Sequence, residues 1–86
     1  MPSRQPQSGK SKRVVMYSAP WCAQCKRAKQ FFKSKGIPFR ELDIERNAMA
    51  RRELERMNAR GVPVILVGGK RLTGFSERRF MALYHG

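Results

Sequence analysis

Cys22-Ala23-Gln24-Cys25 holds both cysteines of the chain, behind one apolar run and ahead of a basic amphipathic stretch. The run is Val14-Val15-Met16-Tyr17 and the stretch is Lys26-Arg27-Ala28-Lys29-Gln30-Phe31-Phe32. A Cys-x-x-Cys pair that opens a helix after a strand suits thiol–disulfide exchange. At a helix start the two sulfurs share a face and can close a disulfide without backbone movement. Unpaired N–H groups and the positive end of the helix dipole stabilise a thiolate at Cys22, and Lys26 and Arg27 add positive charge. Cys22 is therefore read as the nucleophile and Cys25 as the resolving thiol. Two plainer uses compete. A zinc site needs about four ligands, and His85 is the one further strong nitrogen or sulfur ligand in the chain, so no metal is assigned. Cys25 could instead pack as a small hydrophobe. Redox chemistry is the reading the placement favours.

The elements that must hold such a pair have little material to work with. Eighty-six residues make one small domain with a modest core. Two cysteines this close cannot staple a fold, so stability must come from packing. The longest apolar run, residues 62–67, contains a proline and is far short of a membrane span. The first thirteen residues lack the hydrophobic segment of a secretory signal. The expected compartment is the cytoplasm, or the periplasm if the chain is a fragment of an exported protein.

The net charge is +13. Four bases (Arg4, Lys10, Lys12, Arg13) and no acid fall in the first thirteen residues. The rest carries fifteen bases against six acids, so the folded part is itself basic. That balance favours acidic partners through steering and counterion release. No aromatic residues interleave with the bases as a stacking platform for nucleic acid would require, so nucleic acid is not expected as the main partner.

Residues 1–12, rich in Ser, Gln, Pro, Gly and bases, read as a disordered basic tail before a domain over 13–86. Residues 13–18 read as a buried parallel strand, and Ala19-Pro20-Trp21 as a loop into the cysteine pair. A helix is expected over 23–35, with Ala28, Phe31, Phe32 and the Lys35 stem on its inner face and Gly36 as a left-handed cap. A second strand is expected over 38–44, with Phe39, Leu42 and Ile44 as its apolar positions. Asn47 caps a second helix that runs to about residue 59 on the stripe Ala50, Leu54, Met57 and ends at Arg60-Gly61. Residues 62–67 give a third strand, Gly68-Gly69 a hairpin turn, and residues 70–73 a fourth strand. Ser76 caps a last helix, with Phe75 and Phe80 as a hydrophobic staple. The order β-α-β-α-β-β-α predicts an α/β fold: a mixed four-stranded sheet with helices on both faces.

Val62-Pro63 is the next informative pair, because a proline cannot donate to a strand ladder. A cis bond would turn the backbone of Val62 outward, while a trans proline would simply mark a strand edge. Taken together, Tyr17-Ser18-Ala19-Pro20-Trp21-Cys22-Ala23-Gln24-Cys25, then Gly61-Val62-Pro63-Val64-Ile65, then Gly68-Gly69-Lys70-Arg71-Leu72-Thr73-Gly74-Phe75 resemble the ordered motifs of glutaredoxins. The resemblance spans about residues 13–84. It implies the thioredoxin fold, a cis Pro63 facing the cysteines, and dithiol thiol–disulfide exchange on protein disulfides or glutathione mixed disulfides. It also implies that the Val62 backbone pairs with glutathione or an extended polypeptide. The turn Gly74-Phe75-Ser76 would receive the glutamyl carboxylate of glutathione. Trp21 would shape the rim of the site, or pack beside the first strand.

Three positions depart from the family pattern. Ala19 stands where many glutaredoxins carry a lysine, Ala23-Gln24 replaces Pro-Tyr, and Thr73-Gly74-Phe75-Ser76-Glu77 replaces Gly-Gly-x-Asp-Asp. Arg27, Lys70 or Arg71 could supply the missing charge. Cys-x-Gln-Cys and the Gly-Phe pair are also similar to redoxins that serve ribonucleotide reductase and are recharged by thioredoxin reductase. A third alternative is an iron–sulfur cluster bridged between two chains through Cys22. The expected partners are glutathione (as co-substrate) or a thioredoxin reductase, together with disulfide-containing and acidic protein targets. No cofactor is expected to be required, and the chain is expected to act as a monomer. A potential between about −200 and −270 mV is expected.

Overall fold

Val14–Ser18 (β1) is apolar toward both sides, and a strand of that kind belongs in the middle of a sheet. The computed structural model, which describes residues 12–85, places it there. The strand order is β2-β1-β3-β4, with β2 Arg40–Asp43, β3 Val64–Val67 and β4 Lys70–Thr73. β1 runs parallel to β2, with Val15 opposite Arg40 and Ser18 opposite Asp43. It runs antiparallel to β3, with Val14 opposite Val67 and Tyr17 opposite Val64. The β3–β4 hairpin is antiparallel and turns on Gly68 and Gly69, at φ 57° and 88°. Two successive left-handed residues match the twist of a tight hairpin, and glycine reaches them without a Cβ clash.

The period-two alternation of the strands sorts the core into two layers. Val14, Met16, Ile65, Val67 and Leu72 face α1 (Ala23–Lys35) and α3 (Glu77–His85), which bring Cys25, Ala28, Phe31, Phe32, Phe80 and Tyr84. Tyr17 and Val64 face α2 (Ala48–Arg56), which brings Ala50 and Leu54. This is the mixed α/β sheet with helices on both faces that the element order predicts, on the thioredoxin fold.

Local signals set most helix ends. Gly36 ends α1 at φ 68°, and the Ile37 N–H returns to the Phe32 carbonyl at 2.8 Å, the bond that closes a Schellman motif. Lys35 is exposed and holds its ammonium 6.0 Å above the Phe31 ring. Ser76 starts α3, accepting the Arg79 N–H on its Oγ at 3.3 Å. Phe75 and Phe80 meet through a shared seat: both rings rest on Phe31 and Phe32.

Three expected boundaries are corrected. The second strand covers Arg40–Asp43 and not 38–44. Its ladder can run only as far as β1, and the last bond is Ile44 N–H to the Ser18 carbonyl at 2.9 Å. Phe39 and Ile44 flank the strand and pack against the core from outside it. The third strand starts at Val64 and not Val62, because Pro63 has no N–H for the ladder; the Val62–Pro63 bond is cis. The second helix ends at Arg56, not near residue 59. Asn58 adopts φ 58° and Ala59 N–H bonds the Leu54 carbonyl at 3.3 Å. Asparagine tolerates the left-handed region, so it ended the helix before Arg60-Gly61 could.

The tail expected over 1–12 lies outside the described residues except for Lys12, whose ammonium donates to the Leu83 carbonyl at 2.7 Å. No helix among the described residues is long and apolar enough to cross a membrane.

Candidate active site

The cysteine pair sits where β1 passes into α1. The Cys22 N–H bonds the Ala19 carbonyl at 3.1 Å, closing the loop Ala19-Pro20-Trp21. Cys22 is itself the N-cap residue of α1, in extended backbone at φ −92°, ψ 107°. Its Sγ accepts the Cys25 N–H at 3.1 Å. The two cysteines are joined as a disulfide with their Cα atoms 5.3 Å apart. Both are buried, yet Cys22 keeps 6% of its surface exposed against 1% for Cys25. An incoming sulfur can therefore reach Cys22 first. The first turn of α1 carries no acid, and Lys26 and Arg27 are exposed beside it. A negative sulfur at Cys22 would meet a helix N–H and positive charge, the environment that makes a cysteine reactive.

Two further walls complete the site. Val62 and Phe75 pack against the core cluster that contains Cys22 and Cys25. Gly74, at φ 78°, donates its N–H to the Pro63 carbonyl at 3.0 Å. Glycine suits that φ, a conformation that residues with a Cβ rarely adopt. A groove of ≈ 450 Å³ runs along this wall, lined by Val62, Pro63, Thr73 and Gly74 and bordered by Arg60 and Arg71. Arg71 also donates to the Met57 carbonyl at 2.7 Å, satisfying the C-terminal end of α2. Trp21 is 67% exposed, and its indole N–H reaches Glu45 Oε2 at 3.2 Å. It stands on the rim of the loop rather than packing beside β1. Ser76 caps α3 at the far side of the turn.

Sequence reasoning missed two polar contacts. Gln24, between the cysteines, accepts the Phe75 N–H on its Oε1 at 3.0 Å. Its signal in the sequence was an amide standing where the family pattern has an aromatic residue. A second groove of ≈ 370 Å³ is lined by Cys25 together with Lys29 and Glu41. Glu41 accepts from buried Ser18 Oγ at 2.6 Å and pairs with Lys29 at 3.1 Å. Nothing in the local sequence marks that chain of contacts. No group of three or more His, Cys, Asp or Glu side chains among the described residues is placed to hold a metal ion.

Comparison with known proteins agrees with this geometry. The sequence model of the glutaredoxin family matches residues 14–72. A glutaredoxin-like 8.6 kDa protein of the rubredoxin operon of Clostridium pasteurianum is 34% identical over 65 residues, covering 74% of this chain and 87% of that one. Glutaredoxin 3 of Escherichia coli is 37% identical over 65 residues, covering 74% and 78%. Among solved structures, the glutaredoxin-like protein NrdH-redoxin from Escherichia coli superposes with a TM-score of 0.76 at 24% identity, covering 86% of this chain and 97% of that one. That last likeness speaks for the fold alone. With a family match over most of the chain, relatives above 30% identity and a Cys-x-x-Cys pair closed at a helix start, the chain belongs to the glutaredoxin family and is a thiol–disulfide oxidoreductase.

Proposed function

We propose that this protein reduces disulfides of polypeptides and glutathione mixed disulfides by a dithiol mechanism, with Cys22 as nucleophile and Cys25 as resolving thiol. The observation that carries this reading is the position of Cys22. It is the more exposed cysteine, it caps α1, and its sulfur already accepts a helix N–H at 3.1 Å.

In the reduced protein the Cys22 thiolate attacks one sulfur of the target disulfide. A new S–S bond forms to Cys22, and the other target sulfur leaves as a thiolate and takes a proton. Cys25 then gives up its proton and attacks Cys22 Sγ. The second target sulfur leaves as a thiol, two electrons have passed to the target, and the pair is left as the Cys22–Cys25 disulfide. Two glutathione molecules, or the dithiol of a thioredoxin reductase, return it to the reduced form. This direction of electron flow suits the reducing cytoplasm.

The walls take the substrate. The main chain of Val62, ahead of cis Pro63, pairs with an extended segment of the target by strand addition. Gly74 lines the same groove beside Pro63, Phe75 and Ser76 continue from it as the turn that takes the glutathione carboxylate, and Trp21 forms the rim. Arg60 and Arg71 beside the groove support acidic segments as the preferred targets. Recharging by a thioredoxin reductase is the second reading, and the Gln24–Phe75 contact favours it, because it occupies an N–H on the glutathione side of the site.

The test is reduction of insulin disulfides with dithiothreitol as donor, followed by glutathione with its reductase and, separately, thioredoxin reductase. Cys22→Ser should abolish turnover with every donor. Cys25→Ser should retain exchange on a glutathione mixed disulfide and lose release of protein targets. Full activity in Cys22→Ser would refute the assignment.

A further inference from the structure

We infer that Gln24 is a specificity-determining residue: its amide oxygen occupies the Phe75 N–H, a donor that would otherwise be open to a carboxylate-bearing thiol, and so disfavours such thiols. The inference rests on thiol exchange at Cys22 and deepens that reading by naming which thiols the site disfavours.

Gln24 lies between the two cysteines on the first turn of α1, with its side chain exposed. From there it crosses to a segment 51 residues away and accepts the Phe75 N–H at 3.0 Å. The neighbouring donor, Gly74 N–H, is already bound to the Pro63 carbonyl at 3.0 Å. The Arg79 N–H is held by Ser76 Oγ. Two successive donors of the turn, the Gly74 and Phe75 N–H groups, are thus engaged by the protein itself before any ligand arrives. The space over the turn belongs to Gln24 as well: a Cβ built on Gly74 would meet Gln24 Oε1 at 3.4 Å.

A small thiol whose carboxylate seeks the Phe75 N–H must displace the amide oxygen. It then exchanges one protein hydrogen bond for its own, and gains only the difference. A charged acceptor makes a stronger bond to an N–H than a neutral one does, so displacement is possible but its benefit is reduced. A cysteine within a polypeptide brings no carboxylate to that position and loses nothing. The amide also adds no charge, so it does not offset the basic surroundings that acidic targets favour.

The experiment measures KM for two sole donors, glutathione and the carboxylate-free 2-mercaptoethanol, in reduction of a disulfide-bonded peptide. Gln24→Ala frees the N–H and should lower KM for glutathione by roughly three- to tenfold, the worth of one hydrogen bond. KM for 2-mercaptoethanol should stay within about twofold, the spread expected of an exposed side chain without a charge. Gln24→Glu keeps an acceptor on Phe75 but adds a negative charge, so it should raise KM for glutathione above the wild type and again spare 2-mercaptoethanol. Equal changes for both donors, or a shift of KM for glutathione in the same direction in both variants, would overturn the inference. So would a Gln24→Ala protein that works with dithiothreitol and shows no gain with glutathione. A wild-type protein inactive even with dithiothreitol would instead remove the oxidoreductase mechanism at Cys22 on which the inference stands.

Discussion

Cys22 opens α1 and Asn47 opens α2 with the same local geometry. Both residues are extended, at φ −92° and −127°, and both accept the N–H three residues on, at 3.1 Å to Sγ and 3.0 Å to Oδ1. Asparagine is among the best capping residues, and a neutral cysteine is not among the preferred ones. At α2 the capping interaction serves the fold. At α1 the same N–H is given to the disulfide sulfur of Cys22, and it would bind an ionised sulfur more strongly than a neutral one. Under the mechanism we propose, the α1 cap also activates the nucleophile, and the two caps then differ in purpose by one side chain.

The two helices also differ in what anchors them. α1 is fixed by Phe32, fully buried against Phe39 at 5.0 Å and Phe80 at 4.8 Å between ring centroids. α2 is fixed by Ala50 and Leu54, with Val15, Leu42, Met57 and Leu66 only partly buried around them. The helix that carries the chemistry therefore has the deeper aromatic seat. Phe32→Ala should cost about 3–5 kcal/mol, since rigid rings around the void cannot collapse into it. Leu54→Ala should cost about 2–3 kcal/mol, at the low end for leucine, because its partly buried neighbours Val15, Leu42, Met57 and Leu66 can close in around Tyr17 and Val64. Urea unfolding of the two variants measures the difference, and equal losses would mean the two layers are equally rigid.

The sequence exposed the parts of this architecture that depend on near neighbours. Gly36, Asn47, Gly68-Gly69 and Ser76 each fix a turn or cap through their own backbone or the next few residues, and each sits where it was expected. Apolar runs on β1 and β3 were legible because both faces of those strands are covered. What the sequence hid was decided at a distance. β2 ends where β1 stops offering partners, and β3 begins after the turn at Pro63. For α2, the expected stop at Arg60-Gly61 was pre-empted by Asn58, whose left-handed turn brings the Ala59 N–H back to the Leu54 carbonyl. In the site, the cysteines, Val62-Pro63 and Gly74-Phe75 stood out as ordered motifs. The Gln24–Phe75 and Ser18–Glu41–Lys29 contacts did not, because isolated polar residues that meet across the fold leave no periodic trace.

The caps themselves can be separated by substitution. Asn47→Ala should lower stability by about 1 kcal/mol and leave disulfide turnover intact. Cys22→Ser, compared with the reduced wild type, should keep stability within about 0.5 kcal/mol, since serine is a good cap, while losing all turnover. Urea midpoints and insulin reduction on the same samples give both readouts. A large loss of stability in Cys22→Ser would show that the sulfur supports the fold, and the contrast between the two caps would fail.

The smallest effect lies between α2 and the sheet, where Tyr17 donates its hydroxyl to Glu53 Oε1 at 2.9 Å. Burial first, then the hydrogen bond and the charge of Glu53, hold the Tyr17 phenol above its usual value of 10.0. A phenol raised on folding keeps its proton more firmly in the folded chain than in the unfolded one. Its contribution to stability is therefore whole below pH 10 and is lost as pH climbs through the raised value. Tyr17→Phe should cost about 0.5–1 kcal/mol at pH 8, the low end for a hydrogen bond because water can replace the lost hydroxyl at the partly exposed Glu53. The difference between Tyr17→Phe and wild type should shrink as the pH rises above 10. Comparing the two proteins at each pH cancels the titration of the many lysines. A gap that stays constant across pH 8 to about 11 would mean that the Tyr17 phenol is not raised by folding, and that its hydroxyl supports α2 only as a neutral hydrogen-bond donor.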